Sequence, residues 1–202
     1  MNNDNEFGKH PSKELQTIYS QKPYQMQVPE KAKIIFLGLD ANLDKNIEDN
    51  KLLFNEFIEY FKDGISYWKM HGFHTPILSK NYKGLGLKYH KSFSKLGITS
   101  NYAEKICFME LLNICTYGKS SGKKQFLTFL NDTSNKVHLN RIRELANMKK
   151  IICISVGVKN YINKLNLFNT DNDNIIIHTH FSNAIKDEEL VKLGILLKNY
   201  LS

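Results

Sequence analysis

The stretch Lys33-Ile34-Ile35-Phe36-Leu37-Gly38-Leu39-Asp40-Ala41-Asn42 decides the fold. From Ile34 to Leu37 every residue is apolar, and the run closes in turn chemistry at Gly38 and Asp40. A half-exposed strand would alternate apolar and polar residues, so an unbroken run of this length predicts a strand buried on both faces. Three further runs read the same way: Ile106 to Ile114, Ile151 to Val156 and Ile175 to His178.

Helical spacing fills the intervals between these strands. Leu52, Leu53, Phe57, Ile58 and Phe61 recur at steps of three and four, predicting a helix from Asp49 to Lys62 that Asp63-Gly64 ends. A shorter helix covers Leu87 to Leu96 and stops at Gly97. Val137, Ile142, Leu145 and Met148 mark another, Tyr161, Ile162 and Leu165 a fourth, and Leu190, Leu193, Leu197 and Leu201 the last. Asp187, Glu188 and Glu189 fall in the first turn of that last helix, where its dipole favours negative charge. Strands alternating with helices imply right-handed parallel crossovers. The expected fold is therefore a three-layer α/β/α sandwich around a central, mainly parallel four-stranded sheet.

The chain has 202 residues, which suits one domain with a core of its own. It has neither repeats nor an internal linker. Residues 1–12 are polar, lack the apolar core of a signal peptide, and read as a flexible tail before a domain at 13–202. No apolar run approaches the ~18 residues of a membrane span, so no membrane partner is expected. Cys107, Cys115 and Cys153 are odd in number, form no C-x-x-C pair and sit in or beside apolar runs. They read as buried, reduced thiols of a cytoplasmic protein, with no zinc site or iron-sulfur cluster.

In sheets of this kind the ligand crevice lies at the carboxyl ends of the strands. There stand Gly38-Leu39-Asp40-Ala41-Asn42, Asn113-Ile114-Cys115-Thr116 and His178-Thr179-His180-Phe181-Ser182-Asn183. An Asp can orient or deprotonate water, an Asn can read an amide-like edge, and a His can stabilise an oxyanion. Taken singly each has a plainer reading: Asp40 as a turn cap, Asn113 as a residue satisfying a bend, His180 as a structural histidine. Their convergence at predicted strand ends is what points to hydrolysis of a group with an amide-like edge.

In order and spacing these segments resemble the uracil-DNA glycosylase superfamily. G-L-D-A-N is similar to its first motif, commonly G-Q-D-P-Y; E-L-L-N-I-C-T to its L-L-L-N-x-x-L-T strand; and H-F-S-N-A to its carboxyl-terminal H-P-S-P-L. The resemblance covers roughly Lys33 to Ala184 through short motifs only. Ala41 and Phe181 stand where proline is usual, and Asn42 where a tyrosine helps to shape the uracil pocket. The resemblance implies a DNA N-glycosylase that flips a damaged or modified base out of the helix and hydrolyses its N-glycosidic bond. Asp40 would position the attacking water, Asn113 would hydrogen-bond the flipped base, and His180 would stabilise charge on its carbonyl. Gly38, Leu39 and Asn42 would complete the base pocket, with Trp68 or Phe73 as the aromatic that sandwiches the base. Ser182 would touch a DNA phosphate, beside Asn183.

Charge supports a nucleic-acid partner independently. The net charge is +8, and its distribution is uneven. Between Gly64 and Asn131 stand ten lysines, Lys123 among them, against Glu104 and Glu110, while the rest of the chain carries 18 basic and 18 acidic residues and is neutral. From Gly64 to Ala103 no acidic residue occurs, and Lys80, Lys83, Lys88 and Lys91 interleave with aromatics. Lysines neutralise phosphates and aromatics stack on unpaired bases; the same pattern also fits a solvated lysine face over core aromatics. Gly84, Gly86 and Ser120-Ser121-Gly122 would let backbone approach phosphates, but neither fits a P-loop. His71, His74 and His90 show no metal-ligand spacing. The expectation is a metal- and cofactor-independent DNA repair enzyme with no obligate protein partner. Two alternatives remain: a non-catalytic nucleic-acid-binding protein on the same fold, and a small-molecule N-glycoside or amide hydrolase.

Overall fold

A computed structural model describes residues 6–120 and 124–202. Its elements follow in the order β1 (Phe7–Lys9), α1 (Lys13–Gln21), β2 (Tyr24–Met26), β3 (Ile34–Gly38), β4 (Ala41–Asn42), α2 (Lys51–Lys62), α3 (Gly64–His71) and α4 (Leu87–Ser94). The second half runs β5 (Ile106–Glu110), β6 (Cys115–Gly118), α5 (Lys124–Leu130), α6 (Thr133–Asn147), β7 (Ile151–Ser155), α7 (Val156–Leu165), β8 (Ile175–His178) and α8 (Asp187–Leu201).

The main sheet has the order β2-β5-β3-β7-β8. Its last four members run parallel, with Ile34 opposite both Ile106 and Ile151 and Ile152 opposite Ile175. The sheet is thus mostly parallel but has five strands rather than four, because Tyr24–Met26 adds an antiparallel edge on β5. Buried runs make this possible: Ile34 and Phe36 join one apolar cluster with α1 to α4 and α8, while Ile35 and Leu37 join a second with α5 to α7. Helices therefore cover both faces, as unbroken apolar strands require. Between α2 and α3, Asp63 closes one helix and its carboxylate caps the next by accepting from Ser66 N. The chain turns there but resumes as helix.

Two expectations change. The second strand stops at Glu110, and Cys115–Gly118 belongs to a separate small sheet of order β1-β6-β4. In that sheet Phe7 pairs with Gly118 antiparallel, and Asn42 pairs with Thr116 parallel. Of the segment expected as a tail, residues 1–5 lie outside the described residues, while Phe7–Lys9 is a strand and His10 is buried with its ring nitrogens bonded to Asp44 O and Ser12 N. Gly118 is demanded by this pairing: it has φ of +79°, and a Cβ there would fall 1.8 Å from the Glu6 carbonyl oxygen. The three cysteines are buried free thiols. No helix among the described residues is long and apolar enough to cross a membrane.

Candidate active site

A cavity of about 410 Å³ opens at the carboxyl ends of β3, β5, β7 and β8. Gly38, Leu39, Asp40, Asn42, His180 and Ser182 all line it. Six of the residues singled out from the sequence are therefore brought to one place by two separate strand ends, those of β3 and β8.

Asp40 is held by the small sheet. Its Oδ2 accepts from the Thr116 hydroxyl and, at 3.1 Å, from Asn42 Nδ2, while Oδ1 accepts from Ser120 Oγ at 2.7 Å. Asn42 Nδ2 also donates to the Gly118 carbonyl, which fixes its amide and leaves Asn42 Oδ1 as a buried acceptor without a partner among the described residues. Burial raises the Asp40 carboxyl above its ordinary range, and the three donors pull it back. Thr116 was visible only as the end of a motif and Ser120 only as part of a glycine-serine turn. Ser121, Gly122 and Lys123 lie outside the described residues.

His180 and His178 carry their ring protons on opposite nitrogens. The backbone N–H of Ser182 donates to His180 Nδ1 at 3.2 Å, so in the neutral ring the proton sits on Nε2. Burial lowers the pKa of this ring and favours that neutral form. His178 Nδ1 instead pairs with the Thr179 carbonyl at 2.8 Å and must carry the proton, which leaves its Nε2 an acceptor. The His178 ring stacks on Phe181 at 4.3 Å and 14°. A donor and an acceptor thus come from one five-residue turn.

The floor and walls are residues the sequence reading passed over. Glu110, which ends β5 opposite Gly38, lines the cavity, and burial and the Asp40 carboxylate both push its pKa well above the usual carboxylate range. Tyr89 and His90 come from α4. The Tyr89 ring lies 5.4 Å from that of His180 and 5.1 Å from that of Phe181. His90 Nδ1 lies 2.9 Å from Nε2 of the fully buried His74; one proton lies between the two rings, and burial lowers His90 to about 3 and His74 well below its ordinary value. The aromatic wall includes Phe36, Phe57 and Phe108.

Asn113 stands apart from this cavity. Its N–H donates to Asn135 Oδ1 at 2.9 Å and its side chain to Ser134 O at 3.3 Å. The cause is the early end of β5: Leu111 N and Leu112 N bond to the carbonyls of Gly38 and Leu39, both leucines are buried, and the chain has turned toward α6 before Asn113 is reached. Trp68 is also outside, 3% exposed and edge-on to His74 and Phe93 in the core. Phe73 packs beside Tyr67 and His71. Both belong to packing around α3.

Lys80, Lys83, Lys88 and Lys91 are exposed and form no ion pair among the described residues. Lys69 and Lys95 of the same segment are matched by Glu104 and Asp187. The segment that carries the four lysines also supplies Leu85, Gly86, Tyr89 and His90 to the cavity wall. Asn183 is exposed beside the His180 turn. No cluster of three or more metal-ligating side chains occurs among the described residues. No family model, curated protein or solved structure matches the chain.

Proposed function

We propose that this protein excises a damaged or modified base from DNA by hydrolysing its N-glycosidic bond. The observation that carries the reading is the meeting of Asp40 and the Nε2–H of a neutral His180 on one aromatic-walled cavity of about 410 Å³, near the small end of the ~300–1,000 Å³ usual for ligand pockets. A flipped base enters such a space with its ring against apolar walls, which offsets the few kcal/mol spent in unstacking it.

The chemistry follows from the two groups. Bond cleavage develops positive charge on the sugar and negative charge on the departing base. Asp40, ionised, favours the first and holds water: Oδ1 keeps a lone pair after accepting from Ser120, and the open Asn42 Oδ1 offers a second acceptor for the water's other hydrogen. His180 donates to the departing base without needing to be charged. The exposed lysines of the segment that supplies Leu85 to His90 to the cavity wall favour a polyanionic substrate over a free nucleoside.

The test is base release from oligonucleotides carrying uracil, hypoxanthine, xanthine or modified cytosines, with Asp40→Ala and His180→Ala alongside. Abasic product from the wild type and its loss in both variants is the expected result. Absence of product across the whole panel overturns the reading.

A further inference from the structure

The floor of the cavity contains a second set of polar groups that water and base hydrolysis do not use. Gln25, on the antiparallel edge strand β2, is 5% exposed and lines the cavity, and its Nε2 has no hydrogen-bond partner among the described residues. The Tyr19 hydroxyl lies within reach of the Gln25 side chain and has no further partner among the described residues. Glu110 reaches the same floor from β5, the strand on which β2 pairs, with Gln25 opposite Phe108. The Glu110 carboxyl lies hard against β3: a Cβ on Gly38 would fall 2.0 Å from Oε2. A buried carboxamide with an N–H left open beside a buried carboxyl is costly unless a ligand completes it.

We propose that the Glu110 carboxyl and the Gln25 carboxamide together read the edge of the bound heterocycle, and that they select a ring bearing a carbonyl next to a ring nitrogen. The inference rests on the base-excision reading of this cavity and names the groups that would choose the base.

The charge surroundings decide which form of Glu110 does the reading. The groups facing it are Asp40 from the loop after β3, the phenols of Tyr19, Tyr60 and Tyr89 from α1, α2 and α4, and the thiol of Cys107 on its own strand. His178, His180 and His90 share the cavity, all with lowered basicity, and Lys119 is exposed at its edge. No cation among the described residues compensates the Glu110 carboxyl, while three donors offset the effect of burial on Asp40. Glu110 is therefore the protonated member of the pair, with one O–H to donate and one carbonyl to accept. That pair matches any edge with one donor beside one acceptor. Gln25 adds a donor, which demands a carbonyl next along the edge. Uracil presents that sequence and hypoxanthine presents part of it. Adenine has no carbonyl for Gln25.

Free uracil, hypoxanthine and adenine, titrated into the full chain and followed by NMR, test this without any glycosidic step. A glutamine at position 110 keeps one donor and one acceptor without charge. Glu110→Gln should hold uracil within about threefold of wild type, Glu110→Ala should weaken it at least tenfold, and Gln25→Leu should weaken uracil about tenfold while leaving adenine unchanged. Thermal midpoints of the variants establish that each is folded. Equal affinity in Glu110→Ala and wild type overturns the proposal, as does equal loss in Glu110→Gln and Glu110→Ala, which would show that the charge is what matters. A protein that binds these bases as expected yet releases none from DNA overturns base excision and leaves the reading floor standing. Base release that is indifferent to Glu110→Ala and Gln25→Leu does the reverse.

Discussion

Gly38 stands opposite Glu110 in parallel register, and the space a methyl group would fill at Gly38 is taken by the Glu110 carboxyl, 2.0 Å from the position of that Cβ. The obstructing atom is the end of a side chain, so Gly38→Ala should fold, with a stability loss toward the lower end of the ~1–3 kcal/mol typical of overpacking. Its Glu110 carboxyl must move from the floor. Uracil affinity should fall as far as in Glu110→Ala, while the thermal midpoint changes little; calorimetric titration and thermal unfolding of the same sample measure both.

The donors on Asp40 set the pH range in which its carboxyl is ionised. Thr116, Ser120 and Asn42 all lower its pKa against the effect of burial. A hydrogen bond to a charged group contributes ~1.5–3 kcal/mol, and one pKa unit corresponds to about 1.4 kcal/mol. Thr116→Val or Ser120→Ala should therefore raise the Asp40 pKa by about one unit. Since the proposed mechanism requires the anion, the acid limb of the pH–rate profile for base release should move to higher pH by the same amount, with the plateau rate little changed in Ser120→Ala.

Acid should destabilise the fold through the His74–His90 pair. Both rings are neutral in the folded chain, His90 with a pKa of about 3 and His74 well below 6.5. The unfolded chain binds protons first, so the stability these rings confer is complete above about pH 6.5 and is lost as pH falls toward 3. Each should cost about 1.4 kcal/mol per pH unit below 6.5. Glu110 acts in the opposite sense, because its raised pKa favours the fold at low pH and withdraws that support as pH rises through the folded value. Urea unfolding at pH 7 and pH 5 should show the net acid loss, and His90→Gln should flatten it.

Neutralising Lys80, Lys83, Lys88 and Lys91 to glutamine should weaken DNA binding and reduce its salt dependence. Each lost phosphate contact lowers the slope of log K against log salt by ~0.9 on duplex DNA. Four exposed lysines elsewhere, Lys136, Lys149, Lys164 and Lys192, serve as the control and should leave slope and affinity unchanged. Fluorescence anisotropy at several salt concentrations distinguishes the two sets; equal effects of both would show that no local basic surface exists.

The elements legible from sequence were those whose burial pattern is self-contained. Ile34–Gly38, Ile151–Ser155 and Ile175–His178 are short apolar runs, and hydrophobicity alone marks them. Asp40 and His180 could be placed because each follows such a strand at once. Tyr24–Met26 and Phe7–Lys9 are three residues long, too short for any period to show. Glu110 hid in an apolar stretch whose continuation through the buried Leu111 and Leu112 made one strand out of two, and this same merging carried Asn113 into the expected site. Trp68 and Phe73 show the other limit. An aromatic between lysines looks alike whether it fills a core or faces a cavity, and only the packing of α3 separates the cases.

The small sheet has a kinetic meaning. Phe7 meets Gly118 and Asn42 meets Thr116 across 111 and 74 positions of chain, whereas most helices of this fold form from neighbours. The main sheet closes loops just as long, Ile34 meeting Ile151 across 117 positions, so both sheets bear a loop-closure entropy that local helices do not. Until Asn42 and Thr116 are brought together, the Asp40 carboxylate lacks the donors they supply. No local segment of this chain can hold that carboxylate in place by itself.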